Sequence, residues 1–539
     1  MELSNQTGLK SLLGYLPSIV IKSILDETIT SHTKMPASIP MKKVVSLFAD
    51  ISGFTKLSES FSKVGRTGSE FLAFCLNRYM EQLINVIGNN GGDIFKFAGD
   101  ALLVIWPEEE EVDEKKREAN LFTTCRRALQ CALSIQNKLN NLEMVKGKIL
   151  SVKIGIGLGD CKVLFVGGVL KRNEYLIVGE AMRQACASEC HCRAGGETVV
   201  SEYIMEKLKN VCQFQEAEPD TEHDDNDGLK YYKCISSLKN KIATRAESLL
   251  MRTKFSIDLL RDKFSILKTY VPAAIGLYLD IGKEFWSKEN RLLTIMFLNL
   301  SIDLKDTESE EGRLYIQKVV ETVQLCVYKT RGSLNKFLMD DKGSVMLIVW
   351  GLPPVSAHDD AIRAVRSGMD IVNELKKLNC GAKMGITTGC CFTGVCGNIG
   401  ARREYSLLGE IVNKSARFMQ MSMTICKEKL QNNPNDNSAK YQITICEETK
   451  HLIENKIPTR WVCNASIKGF VNKFDFYEPI PIEEYSNVIC NEIRTHNDNP
   501  KKDVVDPRKA NEESIHGSFF MIGNDIQKKK LKKVLDDAY

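Results

Sequence analysis

The stretch VKIGIGLGDCKVLFVGGVLKRNEYLIVGEAM, residues 152–182, returns as AKMGITTGCCFTGVCGNIGARREYSLLGEIV at residues 382–412. Lys153 corresponds to Lys383, and Glu174-Tyr175 to Glu404-Tyr405, at one constant offset. Upstream, VVSLFADIS (44–52) matches LTIMFLNLS (293–301). DIFKFAGDALLVIW (93–106) matches SLNKFLMDDKGSVMLIVW (333–350), with a short insertion. Segments returning in fixed order mark two copies of one domain.

Each copy has the same grammar. An apolar strand ends near Asp50 or Asn299. In the first copy Leu72, Leu76, Tyr79, Leu83 and Ile87 then share a helical face that stops at Gly91. A hairpin follows, Ile94–Phe97 and Ala101–Trp106, around Ala98-Gly99. A second helix carries Leu121, Cys125, Leu129, Ala132 and Leu139, before strands at Val152–Leu158 and Tyr175–Val178. The order β-α-β-β-α-β predicts an α+β fold, with helices on one face of a mostly antiparallel sheet. The predicted divisions are an N-terminal extension (1–37), a first domain (38–235), a linker (236–288), a second domain (289–482) and a terminal segment (483–539).

Lys+Arg exceed Asp+Glu by only 4 over 539 residues, which argues against nucleic-acid binding. No apolar run approaches the roughly 20 residues of a membrane span. Met1–Ser11 is polar and lacks a signal-peptide pattern. The 18 cysteines are scattered, as expected of reduced thiols in a cytoplasmic protein. Cys190-His191-Cys192 has no second pair at finger spacing.

Asp50 ends a strand and Asp100 follows the Ala98-Gly99 turn. Two carboxylates about 4 Å apart repel by roughly 4 kcal/mol at an effective dielectric near 20. They need a proton or a hard cation such as Mg2+, with phosphate oxygens completing its shell. Alone, either aspartate reads as a turn cap. Ser52 and Gly53, within Ile51–Thr55, suit a backbone phosphate cradle. The second copy has neutral Asn299 at the Asp50 position. It has Asn413 and Arg417 four residues apart on one helical face, where the first copy has Arg183 and Ala187. A surface Asn/Arg pair is the plain alternative. The reciprocal loss points to one composite site, with acids from the first copy and donors from the second.

FADISGFTKLS, GGDIFKFAGDALLVIW, VKIGIGLGD, NKFLMDDKG and REYSLLGEIVNKSARFM together resemble the class III nucleotidyl cyclases, in particular their soluble, bicarbonate-responsive adenylyl cyclases, over about residues 38–480. The resemblance implies two tandem ferredoxin-like cyclase domains forming a pseudo-twofold intramolecular dimer. It implies conversion of ATP to 3′,5′-cyclic AMP and pyrophosphate. Asp50, Asp100 and the carbonyl of Ile51 would bind two Mg2+ ions, with Mn2+ able to substitute. One ion would acidify the ribose 3′-hydroxyl and the other hold the triphosphate. Ile51, Ser52, Gly53, Phe54, Thr55 and Lys153 would hold the phosphates. Asn413 would orient the ribose, and Arg417 would stabilise charge on the α-phosphoryl group.

Lys336 and Ser406 fall where the family reads the purine. An ammonium only donates, which suits adenine N1. Asp340-Asp341 beside it could also reach a base edge. The resemblance further implies a second, degenerate pocket for bicarbonate, with Lys96 and Met419 as contacts and Arg183, about one helical turn before the family's Arg position, as the substitute for that Arg. Cys186 stands where the family's Arg is expected, and a thiol does not replace a guanidinium. Ca2+ is a further implied effector. The implied address is the cytoplasm, with cytoskeleton, nucleus or mitochondria as family variants. FFMIGNDIQKKKLKKVL (519–535) resembles the opening of an ATPase-like module, yet the chain has no G-x-x-x-x-G-K-[ST] motif. Residues 483–539 therefore read as a linker and the start of a truncated module. The competing readings are a catalytically silent pseudo-cyclase that senses nucleotide or anion, and a guanylyl cyclase, against which the Lys336 donor argues.

Overall fold

Apolar residues alternate along Val45–Ile51 and run through Val152–Ile156, and these two segments pair as the centre of the first sheet. The computed structural model describes residues 8–481 apart from 9–10, 54–56, 58–60, 62–65, 100, 109–110, 146–147, 219–227, 240, 244–256, 282–288, 341–342, 398–400 and 471. The predicted terminal segment, 483–539, lies outside the described residues. Everything before it belongs to one compact unit.

The first sheet holds β1 (Ala37–Ser52), β2 (Asp93–Ala98), β3 (Ala101–Trp106), β4 (Leu142–Val145), β5 (Lys148–Gly167), β6 (Asn173–Gly179), β7 (Thr198–Ser201), β8 (Phe214–Glu216) and β9 (Tyr231–Cys234). Its order is β2-β3-β1-β5-β7-β9-β8, with β4 and β6 paired to β5. The second sheet holds β10 (Glu289–Leu300), β11 (Ser333–Asp340), β12 (Gly343–Trp350), β13 (Ala382–Gly397), β14 (Arg403–Leu408), β15 (Tyr441–Ile445), β16 (Thr459–Ser466) and β17 (Lys473–Pro479). Its order is β11-β12-β10-β13-β15-β17-β16, with β14 paired to β13. The sequence repeat is thus a repeat of topology. Both hairpins carry a bulge at the same place, at Phe95 and at Asn335, and the insertion lengthens the second by two pairs at its tip.

The two predicted helices form at Arg66–Asn89 and Glu114–Leu139. Gly91, at φ +75°, ends the first. The Asp113 carboxylate caps the second by accepting from the Lys115 amide at 2.9 Å. Both pack on the face of the sheet that carries Leu47, Ala49, Ile51 and Ile154. The expectation of helices on one face alone is corrected: the helix Glu180–Cys190 covers the other. It can approach because Gly155, Gly157 and Gly159 alternate along β5. An added Cβ at Gly155 would lie 2.0 Å from the Ala185 carbonyl oxygen. Gly385 plays the same part under the helix Glu410–Asn432.

The strand expected at Val152–Leu158 runs on to Gly167 and with β6 makes an arm. Leu164, Val166, Leu176 and Val178 of this arm are buried in the core of the second half. Phe392, Cys396 and Leu408, from the matching β13–β14 arm, are buried in the core of the first. Each such side chain withdrawn from water contributes about 1.5–3 kcal/mol. Polar pairs fix the seating. Gln317 accepts from the Gly167 amide at 2.9 Å and donates to its carbonyl at 2.7 Å. Asn77 accepts from the Gly397 amide at 3.3 Å. The two halves interlock within one chain. The cluster between them also takes in Leu12, Leu16, Ile21 and Ile24 from the N-terminal extension and Leu267, Tyr270 and Ile275 from the linker.

Candidate active site

The seam between the halves is built on a pseudo-twofold pair of lysines. Lys96 of β2 donates to the carbonyls of Tyr175 at 2.9 Å and Phe337 at 2.7 Å. Its charge is balanced by Glu174 at 3.6 Å. Lys336 of β11 donates to the Phe97 carbonyl at 3.2 Å and pairs with Glu404 at 3.4 Å. Phe97 and Phe337 correspond, as do Glu174 and Glu404, so each hairpin holds the other's backbone through its lysine. Arg402 adds donations to the carbonyls of Ile94, Gly14 and Phe95, between 2.7 and 3.2 Å.

Two pockets related by this symmetry should flank the seam. One, around Lys96, is a cavity of about 20 Å³, room for roughly one water. Phe48, Phe95, Leu176, Met182, Leu338 and Met339 line it. Register carries these positions to the other side, around Lys336. Asn335 stands there for Phe95, Ser406 for Leu176, Val412 for Met182 and Gly99 for Met339. Apolar bulk becomes amide, hydroxyl and small residues. Gly99 is at φ +71° with open space where a Cβ would point.

Asp50 lies half-buried at the end of β1, directly opposite Lys153 of β5. Strand alternation sets Asp50 on the face of Phe48, away from Ala49 and Ile51, which point into the helix-covered core. Ile51 and Ser52 close the strand, and Gly53 follows at φ +95°. Asp100, Phe54 and Thr55 lie outside the described residues, as does Asp341. In the second half the Asn299–Lys383 pair repeats the Asp50–Lys153 register.

Asn413 and Arg417 ride on the helix Glu410–Asn432. That helix is pinned where the Ser415 hydroxyl donates to the carbonyls of Gly385 at 2.8 Å and Ile295 at 3.1 Å. Ile411 and Val412 next to Asn413 pack on the same interfacial cluster as Phe48. The Asn413 amide nitrogen is buried with no hydrogen-bond partner among the described residues. Such an orphan costs about 1–3 kcal/mol unless a ligand meets it. Arg417 donates to Gln420 at 2.7 Å. Glu404 and Ser406 alternate onto one face of β14, the face that reaches Lys336.

The three residues expected to hold a regulatory anion do not share a lining. Lys96 lines the small cavity, but Arg183 is engaged by Glu180 at 2.5 Å. Met419 sits behind Gly385 in the second half, and the methionines beside Lys96 are Met182 and Met339. Cys186, at the expected Arg position, is 1% exposed within the interfacial cluster. Burial drives the Lys96 ammonium down to about 8, with Glu174 and Glu404 opposing that fall. Among the described residues no group of three or more His, Cys, Asp or Glu gathers as a metal cluster, and no helix is long and apolar enough to cross a membrane. Sequence reasoning missed Asn335; only its place in the bulge, opposite Phe95, marks it.

Residues 37–226 match the family model of the adenylate and guanylate cyclase catalytic domain. Over 395 residues, 70% of its length, the chain is 28% identical to adenylate cyclase type 10 of Oryctolagus cuniculus. Over 394 residues it is 27% identical to adenylate cyclase type 10 of Homo sapiens, again across 70% of its length. It spans 23% of the length of each of these relatives. Among solved structures, the adenylyl cyclase CyaB from P. aeruginosa aligns with 36% of this chain and 96% of its own, at 22% identity and a TM-score of 0.30. The chain is thus similar to adenylate cyclases over 70% of its length, and its first half matches the adenylate and guanylate cyclase catalytic domain.

Proposed function

We propose that the chain is an adenylyl cyclase, forming 3′,5′-cyclic AMP and pyrophosphate from ATP in the pocket around Lys336. The observation that carries this is the contrast across the pseudo-twofold axis. Phe95, Leu176 and Met339 line the cavity beside Lys96, and at the corresponding positions beside Lys336 the repeat sets Asn335, Ser406 and Gly99. The Asn413 amide nitrogen, buried with no hydrogen-bond partner among the described residues, further supports a ligand.

Asp50, Asp100 and the carbonyl of Ile51 are hard oxygen donors and fit Mg2+. When bound, such ions supply charge that acidifies the ribose hydroxyl and neutralises phosphate. The chain's own residues do the rest. Lys153, opposite Asp50, holds phosphate charge. Ser52 and Gly53 allow close backbone approach to the triphosphate. Asn413 orients the ribose so that its 3′-oxygen faces the α-phosphorus. Arg417 stabilises charge growing on the α-phosphoryl oxygens, and pyrophosphate leaves in line. Lys336 donates to adenine N1 and Ser406 completes the base contact, which disfavours the N1–H of guanine.

Purified protein with Mg-ATP should release cyclic AMP, and far less cyclic GMP from Mg-GTP. Arg417→Ala should lower kcat by about 10²–10³, the usual loss of one charge-stabilising donor. Asp50→Asn, which copies Asn299, should abolish turnover. Unchanged rates in both variants would refute the site.

A further inference from the structure

We infer that Asn335 reads the 6-amino and N7 edge of adenine, as a specificity residue beside Lys336. It rests on the reading that this pocket holds ATP.

Asn335 is 3% exposed, and both its amide oxygen and its amide nitrogen are buried without a hydrogen-bond partner among the described residues. One orphan of this kind is unusual; an entire side-chain amide is a larger cost with no structural return. Its direction follows from the bulge. Leu334 and Phe337 point into the helix-covered core of the second half. The register slips between Leu334 and Lys336, so Asn335 is the extra residue. Its counterpart Phe95 has the same slip, and both Phe95 and Lys96 line the cavity on the seam face. Asn335 and Lys336 therefore turn together to that face, where Lys336 reaches the Phe97 carbonyl across the interface.

An amide offers one acceptor and two donor hydrogens in a plane. Adenine presents an N6–H donor beside the N7 acceptor, the edge that an Asn matches with two bonds. Guanine presents two acceptors there, O6 and N7, and leaves the amide oxygen unpaired. With Lys336 on N1, three adenine atoms are read by two adjacent side chains. The packed pocket has Phe95 at this place and no such reader.

The test is equilibrium binding of ATP, purine riboside triphosphate (no 6-amino group) and 7-deaza-ATP (no N7) to the full chain, with cyclic-nucleotide release measured in parallel. The wild type should prefer ATP over each analogue by roughly five- to hundredfold, the range of one such amide pair. Asn335→Leu should bring both ratios close to one. Its thermal midpoint should not fall, because the change removes buried unpaired polar atoms. Asn335→Asp, which keeps the acceptor and loses the donor, should retain the preference over purine riboside triphosphate and lose that over 7-deaza-ATP. Wild-type ratios persisting in Asn335→Leu would overturn the assignment, as would equal binding of all three nucleotides by the wild type. Selective binding without any cyclic product would leave Asn335 standing and defeat the cyclase reading. Failure of the wild type to bind any of the three would defeat both.

Discussion

Lys96 and Lys336 are the same residue of the repeat, and their surroundings give them different work. Two carbonyls and Glu174 already engage Lys96, inside a cavity that holds little more than a water. Its role is to tie the hairpin of the second half to the first. Its titration tests this. The folded value of about 8 lies below the unfolded 10.5, so between those values the unfolded chain binds the extra proton. Burying the ammonium thus costs stability near neutrality, and that cost fades as pH rises from 8 towards 10.5. Between pH 7.5 and 10 the difference in unfolding free energy between wild type and Lys96→Met should shift towards the wild type by roughly 2–3 kcal/mol. A flat difference in denaturant titrations would contradict it. Asp50, Asn413 and Arg417 stand out in the sequence as candidates because chemistry and repeat logic single them out. Asn335 does not, because a lone Asn in a strand acquires meaning only when a bulge turns it towards a partner half.

Among elements, the helix Glu410–Asn432 matters most, since it carries both Asn413 and Arg417. It lies flush on β13 because Gly385 has no side chain. An added Cβ would sit 2.2 Å from the Met419 nitrogen and 2.4 Å from the Ser415 oxygen, both backbone atoms. Gly385→Ala should therefore push the helix outward, costing about 1–3 kcal/mol of stability. Activity should fall by about 10²-fold, as expected of a displacement near 1 Å at reacting groups. Gly155→Ala makes the same clash under the helix Glu180–Cys190. That helix carries no Asn/Arg pair, so similar destabilisation should come with a much smaller loss of turnover. Equal losses in a cyclic AMP assay would contradict this division of roles. The hairpins and both long helices of the first half followed from periodicity. The length of β5 did not, because an arm buried on both faces reads only as a short apolar run bounded by glycines.

For the molecule as a whole, the repeat foretold two like halves, and their interlock explains why the arms are apolar on both faces. The sequence sets the N-terminal extension and linker apart from the two domains. In the structure Leu12, Leu16, Ile24 and Leu267 are fully buried or nearly so, between the halves. An amphipathic stretch shows that a face is apolar and does not say what will cover it. The proposed site requires first-half acids and second-half donors to meet on one nucleotide. The direct measurement is an experimental structure of the chain with Mg2+ and a non-cyclisable ATP analogue. A single nucleotide should lie beside Lys336, contacting Asn413 and Arg417 from the second half, with its phosphates held over Asp50 and Lys153 of the first. A nucleotide touching residues of one half alone would contradict it.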